Sequence, residues 1–256
     1  MSVDMATVSV CMATYNGAAY VAHQLRSILA ELGPDDEVVV VDDASSDDTV
    51  QIVRGLEDDR IRVIAQERNA GYVASFARAL AEARGDVLML SDQDDEWVPG
   101  RRDLLVAALD DADVVASNLE LLDSGAPLTS PLTGKPWVLS RAGSPTGRQL
   151  AIFAGVAPYY GCAMALRHSA LDYLLPFPEG LRESHDLWIA TAANVQRRLA
   201  HVDRVTVRRR VHESNASTSS PRGVRAALGS RLLMLRLWRE ARRRRAVQAG
   251  GGAVGA

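Results

Sequence analysis

Cysteine is scarce in this sequence, and the two cysteines, Cys11 and Cys162, lie in separate apolar stretches. Two isolated cysteines cannot build a disulfide framework or a cysteine-based zinc cluster. Each is expected to be a buried thiol, and a reducing compartment fits this composition.

Long apolar runs are also missing. No stretch approaches 18 consecutive uncharged apolar residues, and the N-terminus carries Asp4 without a basic segment or a cleavage site. We therefore expect neither a membrane-spanning helix nor a secretion signal, and we expect a cytoplasmic location.

Neither sign of charge dominates the chain, whose formal net charge is -3. This balance gives no reason to expect a nucleic-acid partner, although carboxylates concentrate in the first half and arginines in the last fifth. With 256 residues and 47% hydrophobic content, the chain is long enough to bury a core in one domain.

Glycine-rich phosphate-binding loops are absent as well. No G-x-G-x-x-G or G-x-x-x-x-G-K-[ST] pattern follows a predicted strand, which disfavours a Rossmann dehydrogenase and a P-loop enzyme. A diphosphate can instead be held by Mg²⁺ or Mn²⁺, because these hard cations prefer carboxylate and phosphate oxygens. The acidic cluster at residues 92–95 supplies such ligands.

Short apolar runs alternate with helical periodicity through the first half of the chain. The predicted strands cover residues 7–13, 37–41, 61–64, 87–90 and 113–116. Helical patterns separate the first four strands, and this alternation is typical of a parallel sheet flanked by helices. Residues 124–147 are irregular, after which an apolar run at 162–166 and a helix near 186–195 continue the pattern. The sequence therefore predicts an α/β fold with a Rossmann-like mixed, mainly parallel sheet.

Polar clusters follow three of the predicted strands directly. They are Thr14-Tyr15-Asn16, Asp42-Asp43 and residues 91–95, which include Asp92, Asp94 and Asp95. Ligands bind beyond the carboxyl ends of the strands in open parallel sheets. Loop polarity alone would explain any one cluster, but three in succession predict a ligand site at this edge.

Four sequence blocks in the first 100 residues resemble the family-2 inverting glycosyltransferases of the GT-A type. The blocks are residues 8–17 (VSVCMATYNG), 41–49 (VDDASSDDT), 69–71 (NAG) and 92–99 (DQDDEWVP). Three later blocks, 161–165 (GCAMA), 184–188 (SHDLW) and 212–215 (HESN), are similar to the rhamnosyltransferase-like members of the family. The resemblance extends to about residue 217.

The resemblance implies roles for the residues that match these blocks. Nucleotide binding is implied for Ala13, Tyr15, Asn16, Asp42, Asp43 and Asp92. Asp94 matches the direct ligand of Mg²⁺ or Mn²⁺, and His212 matches a residue near the metal and the diphosphate. Asp186 matches the catalytic base. Many relatives carry Glu-Asp where this chain has His185-Asp186, so the contacts on the acceptor side are expected to differ.

The resemblance also divides the chain. It implies a single GT-A-type catalytic domain over residues 1–217, with a nucleotide-binding half at 1–116 and an acceptor half at 117–217. The implied donor is a UDP- or dTDP-linked sugar, with dTDP-rhamnose as one candidate, and the implied acceptor is a hydroxyl of a glycan or a lipid-linked glycan. The implied setting is cell-envelope or exopolysaccharide synthesis.

Residues 218–248 are predicted to form a basic amphipathic helical extension, followed by a disordered tail at 249–256. The proposed apolar stripe is Val224, Leu228, Leu232, Leu235 and Trp238. Two interpretations remain open for this helix: packing on the catalytic domain, or peripheral contact with an anionic membrane.

Two other functions combine similar features. A metal-dependent nucleotidyltransferase also uses carboxylates on an α/β sheet, but Asn16-Gly17 lacks the nearby lysine or arginine that would hold a triphosphate. A non-catalytic sugar-nucleotide-binding partner subunit is the second alternative. The carboxylates at Asp94 and Asp186 argue against such degeneracy.

Overall fold

The computed structural model describes residues 6–130, 134–141, 143–212 and 224–251, without the side chains at 224–228 and 251. The strands are β1 (Val8–Thr14), β2 (Glu37–Asp42), β3 (Ile61–Ala65), β4 (Val87–Ser91), β5 (Glu96–Trp97), β6 (Val114–Leu121), β7 (Met164–Arg167) and β8 (Leu199–Arg209). The α-helices are α1 (Val21–Leu29), α2 (Thr49–Arg54), α3 (Tyr72–Glu82), α4 (Arg101–Ala108), α5 (Pro145–Ala154), α6 (Leu171–Leu174), α7 (His185–Gln196) and α8 (Val224–Gly251).

The strands form one sheet in the order β3-β2-β1-β4-β7-β6-β8-β5. Strands β1 to β4 pair in parallel, and so do β6 and β8. Strand β7 runs antiparallel to β4 and β6, and β5 runs antiparallel to β8. The predicted mixed, mainly parallel sheet is confirmed.

Helices cover both faces of the sheet, which explains the run of valines in β2. Val39 and Val41 face one core cluster together with α3 and α7, while Val38 and Val40 face the other cluster with α1 and α4. All four valines are fully buried. A strand covered on both faces is apolar at every position, as expected for the centre of a parallel sheet.

The strand order brings the predicted ligand loops together. Strand β1 lies between β2 and β4, and all three run in the same direction. The segments that follow them, at residues 15–17, 43–48 and 92–95, therefore leave the sheet at one edge.

Helix α8 packs on the rest of the domain. Met234, Leu237 and Ala241 are buried in the cluster that contains α7. Arg244 donates hydrogen bonds to the carbonyls of Tyr173 and Pro176, at 3.1 and 2.7 Å. Packing on the domain is thus the interpretation that the structure bears out.

The predicted apolar stripe of this helix was wrong at Leu232. Leu232 is 61% exposed, Leu235 and Trp238 are only half-buried, and the side chains of Val224 and Leu228 lie outside the described residues. The helix is apolar almost all round between residues 232 and 238, so its contact with the domain, and not periodicity alone, selects the buried face.

The end of the chain is only partly described. Helix α8 includes residues 249–251, the first three of the predicted disordered tail, and residues 252–256 lie outside the described part. Within the described part of the chain, no helix is long and apolar enough to cross a membrane.

Candidate active site

A cavity of about 510 Å³ opens at the edge of the sheet where the ligand loops meet. Six of the predicted site residues line it: Ala13, Tyr15, Asp43, Asp92, Asp94 and Asp186. They come from four separate segments of the chain. The structure thus brings most of the predicted site together.

The loop after β1 is held against the acidic loop by Gln93. The Tyr15 N–H donates to Oε1 of Gln93 at 2.9 Å, and Nε2 of Gln93 donates to the Tyr15 carbonyl at 3.1 Å. A Cβ atom at Gly17 would lie 2.2 Å from the same Oε1. Glycine at position 17 therefore leaves the space that the Gln93 amide occupies, and a larger residue would displace this amide from its bonds with Tyr15.

Asp43 shapes the opposite wall of the cavity. Its Oδ1 accepts from the Ala70 N–H at 2.7 Å, and its Oδ2 accepts from the Gly71 N–H at 2.8 Å. Gly71 has a φ of 89°, a left-handed backbone that favours glycine. Asp43 thereby fixes the loop of residues 69–71. Its Oδ1 also accepts from Nε2 of Gln66 at 2.9 Å, so only Oδ2 keeps a second lone pair.

Two predicted nucleotide-binding residues, Asp42 and Asn16, are not among the residues lining this cavity. Asp42 is buried and accepts hydrogen bonds from Thr14 Oγ1 at 2.8 Å and from the Ser45 N–H at 2.9 Å. Asn16 accepts from the Ser46 N–H at 2.9 Å through Oδ1. Both residues hold the first two loops in place, and their contact with a nucleotide stays a prediction.

Carboxylates crowd the loop after β4. Burial, followed by the charge of Asp94, raises the pKa of Asp92 to about 6. Burial and then the charges of Asp92 and Asp94 raise the pKa of Asp95 to about 7. Buried carboxylates repel one another when they are charged. A bound cation would relieve this repulsion, so the loop favours one.

The end of β8 meets this acidic loop because β5 pairs with β8. The Arg210 N–H donates to Oδ1 of Asp95 at 3.1 Å, and Nε2 of His212 lies 2.7 Å from Oδ2 of Asp94. The His212 ring also stacks on Tyr20, with 4.7 Å between ring centroids. The two predicted metal-site residues, Asp94 and His212, are therefore in direct contact.

The donor set fits Mg²⁺ or Mn²⁺. Asp92 and Asp94 offer carboxylate oxygens to the cavity, and hard divalent cations select oxygen ligands. Ligand atoms of Asp92, Asp95 and Cys162 also lie within 4.8 Å of one another. Burial raises the pKa of the Cys162 thiol, so this sulfur is a poorer ligand for a hard cation than the carboxylates.

Asp186 is the second residue of α7 and is partly buried. Its Oδ1 accepts a hydrogen bond from the Leu187 N–H at 2.7 Å, which favours the charged form. Burial outweighs this bond and raises the pKa of the carboxyl to about 7. A carboxyl that titrates near neutral pH suits a general base.

Other residues of the cavity were not among the predicted site residues. They include Arg209, Tyr72, Phe76, Gly161 and His185. The sequence pointed only weakly to Arg209, which precedes the family block at residues 212–215 by a few positions. Tyr72 follows the block at 69–71 directly, and His185 was noted only as a departure from the pattern of relatives.

The fold and this cavity define a GT-A-type enzyme, with the loops after β1, β2 and β4 meeting at the carboxyl edge of a mixed sheet. Residues 9–175 match the model of the family described as glycosyl transferase family 2. The chain belongs to that family.

Relatives with known names cover part of the chain. The uncharacterized glycosyltransferase alr2836 of Nostoc sp. is 33% identical over 121 residues, which make up 45% of this chain and 37% of that protein. The succinoglycan biosynthesis protein ExoO of Rhizobium meliloti is 34% identical over 117 residues, or 45% of this chain and 34% of ExoO. The matches thus span little more than a third of each relative.

Solved structures of S. aureus TarS share the fold. The complex of TarS 1-349 with UDP-GlcNAc has a TM-score of 0.70 and 22% identity, and the match covers 91% of this chain and 66% of that one. The complex with UDP has a TM-score of 0.64 and 24% identity, and it covers 80% and 60%. The GT-A prediction for the fold is confirmed by these structures.

Proposed function

We propose that this chain transfers a sugar, with inversion, from a nucleoside-diphosphate sugar to an acceptor hydroxyl. The observation that carries the proposal is the convergence of Asp186, Asp92, Asp94 and Asp43 on one cavity. A base, an acidic loop suited to a cation and a nucleotide-side wall are the parts that a single displacement needs. Family membership favours this transfer over the nucleotidyltransferase alternative.

The nucleotide end of the cavity is formed by the loop after β1 and by Asp43. Ala13 and Tyr15 line it, and Oδ2 of Asp43 has a spare lone pair for a donor group of the ligand. The loops are held by bonds within the protein, so they are preorganised for binding.

Mg²⁺ or Mn²⁺ would be held by Asp94, with Asp92 beside it and His212 bonded to Asp94. When bound, the ion neutralises charge on the departing diphosphate. His212 would orient the Asp94 carboxylate through their contact. Residues that orient a metal ligand in this way typically increase the affinity for the metal.

Asp186 is the proposed base. Its Oδ1 is engaged by the Leu187 N–H, so Oδ2 is the atom that receives the acceptor's proton. The acceptor oxygen then bonds to the anomeric carbon, the bond from that carbon to the diphosphate oxygen breaks, and the nucleoside diphosphate leaves with the electron pair. One displacement inverts the anomeric centre.

The donor, the acceptor and the biosynthetic setting are proposed from similarity to named proteins. ExoO is named for succinoglycan biosynthesis, and TarS is solved with UDP and UDP-GlcNAc. These names support a UDP-linked donor and a glycan or lipid-linked glycan acceptor in cell-envelope or exopolysaccharide synthesis, with dTDP-rhamnose as the other donor to test. Peripheral contact with the inner face of the membrane through α8 belongs to the same proposal.

The testing experiment measures nucleotide release and nucleotide binding together. The chain is incubated with UDP-glucose, UDP-GlcNAc or dTDP-rhamnose and Mn²⁺, and release of UDP or dTDP is followed with water as acceptor. We expect release from at least one donor, and loss of release in Asp186→Asn. Binding without release in the wild type would favour the non-catalytic subunit, and absence of both would overturn the proposal.

A further inference from the structure

His185, the first residue of α7, sits in an aromatic enclosure at the cavity wall. Its side chain is 6% exposed, and its ring stacks on Phe76 with 4.5 Å between centroids. Tyr72 meets it edge-on at 5.7 Å, and Phe177 lies at 6.5 Å. The ring is therefore held in one position by its neighbours.

Both ring nitrogens of His185 are buried and have no hydrogen-bond partner among the described residues. Buried polar side-chain atoms are bonded in the large majority of cases, so an unbonded one needs an explanation. His201 provides the contrast within the same chain. It is also buried, yet its nitrogens lie 2.7 Å from the Tyr159 hydroxyl and 2.9 Å from the Ser140 carbonyl.

Gly161 packs directly against the ring. A Cβ atom at this position would lie 2.6 Å from Nε2 of His185, so any other residue would press on that nitrogen. Gly161 also lines the cavity. Burial lowers the pKa of His185 to about 4, so the neutral ring offers one N–H donor and one nitrogen acceptor.

The aromatic enclosure lies next to both the nucleotide-side wall and the proposed base. Tyr72 and Phe76 belong to α3, which begins directly after Gly71, the residue bonded to Asp43 in the nucleotide-side wall. On the other side, His185 adjoins the proposed base, Asp186. The ring is therefore packed on the helix that follows the nucleotide-side wall, adjoins the base in sequence and lines the cavity that both share.

We propose that His185 is a specificity-determining residue that hydrogen-bonds a hydroxyl of the donor's sugar. This inference rests on the proposed function and deepens it. A site built to bond a hydroxyl discriminates strongly against a ligand that leaves its buried polar group unpaired. This residue should therefore give the chain different affinities for donors whose sugars differ in one hydroxyl.

The test compares His185→Leu with His185→Gln, which keeps a polar group. UDP, UDP-glucose, UDP-GlcNAc, dTDP and dTDP-rhamnose are titrated calorimetrically with Mn²⁺ present. For the best-bound nucleotide sugar, His185→Leu should lower the ratio of its affinity to that of the bare nucleotide at least fivefold. His185→Gln should recover part of this ratio, and affinity for the bare nucleotide should stay as in the wild type.

Thermal unfolding separates this role from a structural one. Removing an unpaired buried polar group should leave the Tm of His185→Leu unchanged or higher, because no protein hydrogen bond is lost. His201→Leu is the matched control. It should lower the Tm, since Tyr159 and Ser140 lose their partner, and it should leave the affinity ratio unchanged.

Nitrogen-15 NMR of histidine rings in the wild type gives a readout that does not depend on any variant folding. The His185 nitrogens should shift with a bound nucleotide sugar beyond the shift with the bare nucleotide, and the His201 nitrogens should not. Nucleotide-sugar binding with an unmoved His185 signal and an unchanged ratio in His185→Leu would overturn this inference alone. Failure of every nucleotide and nucleotide sugar to bind would overturn the proposed function as well.

Discussion

Nε2 of His212 lies 2.7 Å from Oδ2 of Asp94, across 118 positions of sequence. The contact exists because β5 directly follows the acidic loop and pairs with β8, which ends three residues before His212. The segment that follows β8 therefore holds the acidic loop in place. A metal bound at Asp94 would depend on these contacts.

We predict that His212→Ala lowers the affinity for UDP in Mn²⁺ by about 10- to 100-fold, the usual effect of removing a residue that orients a metal ligand. Calorimetry with and without a chelator measures the effect. His23→Ala is the matched control, because His23 also pairs with a carboxylate, Glu96, at 2.8 Å. Equal UDP affinity with and without chelator in the wild type would refute the metal site.

Asp186→Asn should bind nucleotide normally and lose turnover. The amide keeps the size of the side chain but cannot accept the proton, and general base catalysis typically contributes about 10²- to 10⁴-fold. The loss should fall in kcat, with donor affinity within about twofold of the wild type. Near-normal turnover in this variant would shift the role to another residue, with Glu183 as the next candidate in the cavity.

Turnover should rise with pH through about 7, provided that Mn²⁺ saturates the acidic loop. Burial raises the pKa of Asp186 to about 7, so the carboxyl is mostly protonated below that pH and cannot act as a base. Each unit below the pKa should then cost about tenfold in rate. A rate that is flat between pH 5.5 and 7, with chemistry limiting, would contradict the assignment.

The first half of the fold was predictable because its signals are local. The valines of β2 and the polar residues after β1, β2 and β4 need only the rule that parallel strands end at one edge. Strand β8 was missed because its register against β6 shifts after Val202 and again after Val205, which interrupts its alternation, and because arginines occupy its end. Strand β5 has only two residues, too few for any periodic signal.

The site was predictable only where a residue follows a strand or matches a family block. Asp43, Asp92, Asp94 and Asp186 meet that condition, and all of them line the cavity. His185 lies in the block at 184–188, but its significance comes from the lack of hydrogen-bond partners among the described residues, which sequence cannot reveal. The same limit explains why one position of the buried face of α8 was assigned wrongly.

Packing of α8 predicts a large stability effect at Leu237, which is 2% exposed. Leu237→Ala should lower the free energy of unfolding by about 2–5 kcal/mol, because it removes buried methyl groups and leaves a cavity. Leu232→Ala on the same helix should change it by less than about 0.5 kcal/mol, since Leu232 is 61% exposed. Denaturant unfolding measures both, and equal values would show that α8 does not stabilise the domain.

The outer face of α8 predicts binding to anionic membranes. Leu232, Arg236, Arg239, Arg243 and Val247 recur at helical spacing on the side opposite to Met234 and Leu237, and all five are exposed. Arg236 and Arg239 make no hydrogen bond or ion pair within the described part of the chain, whereas Arg243 pairs with Glu240 at 2.7 Å. The charges of Arg236 and Arg239 are therefore available to an anionic surface.

Arg236→Gln combined with Arg239→Gln should weaken sedimentation with phosphatidylserine-containing liposomes about 30-fold, since each basic residue near such a surface contributes about 1 kcal/mol. Stability should be unchanged, because both side chains are exposed. Arg26→Gln combined with Arg54→Gln, which removes the same charge from exposed positions on α1 and α2, should leave sedimentation intact. The binding of the wild type should fall as salt rises, because screening weakens exposed charge. Equal losses in the two double variants would attribute the attraction to net charge, and no binding by the wild type would remove α8 as a membrane contact.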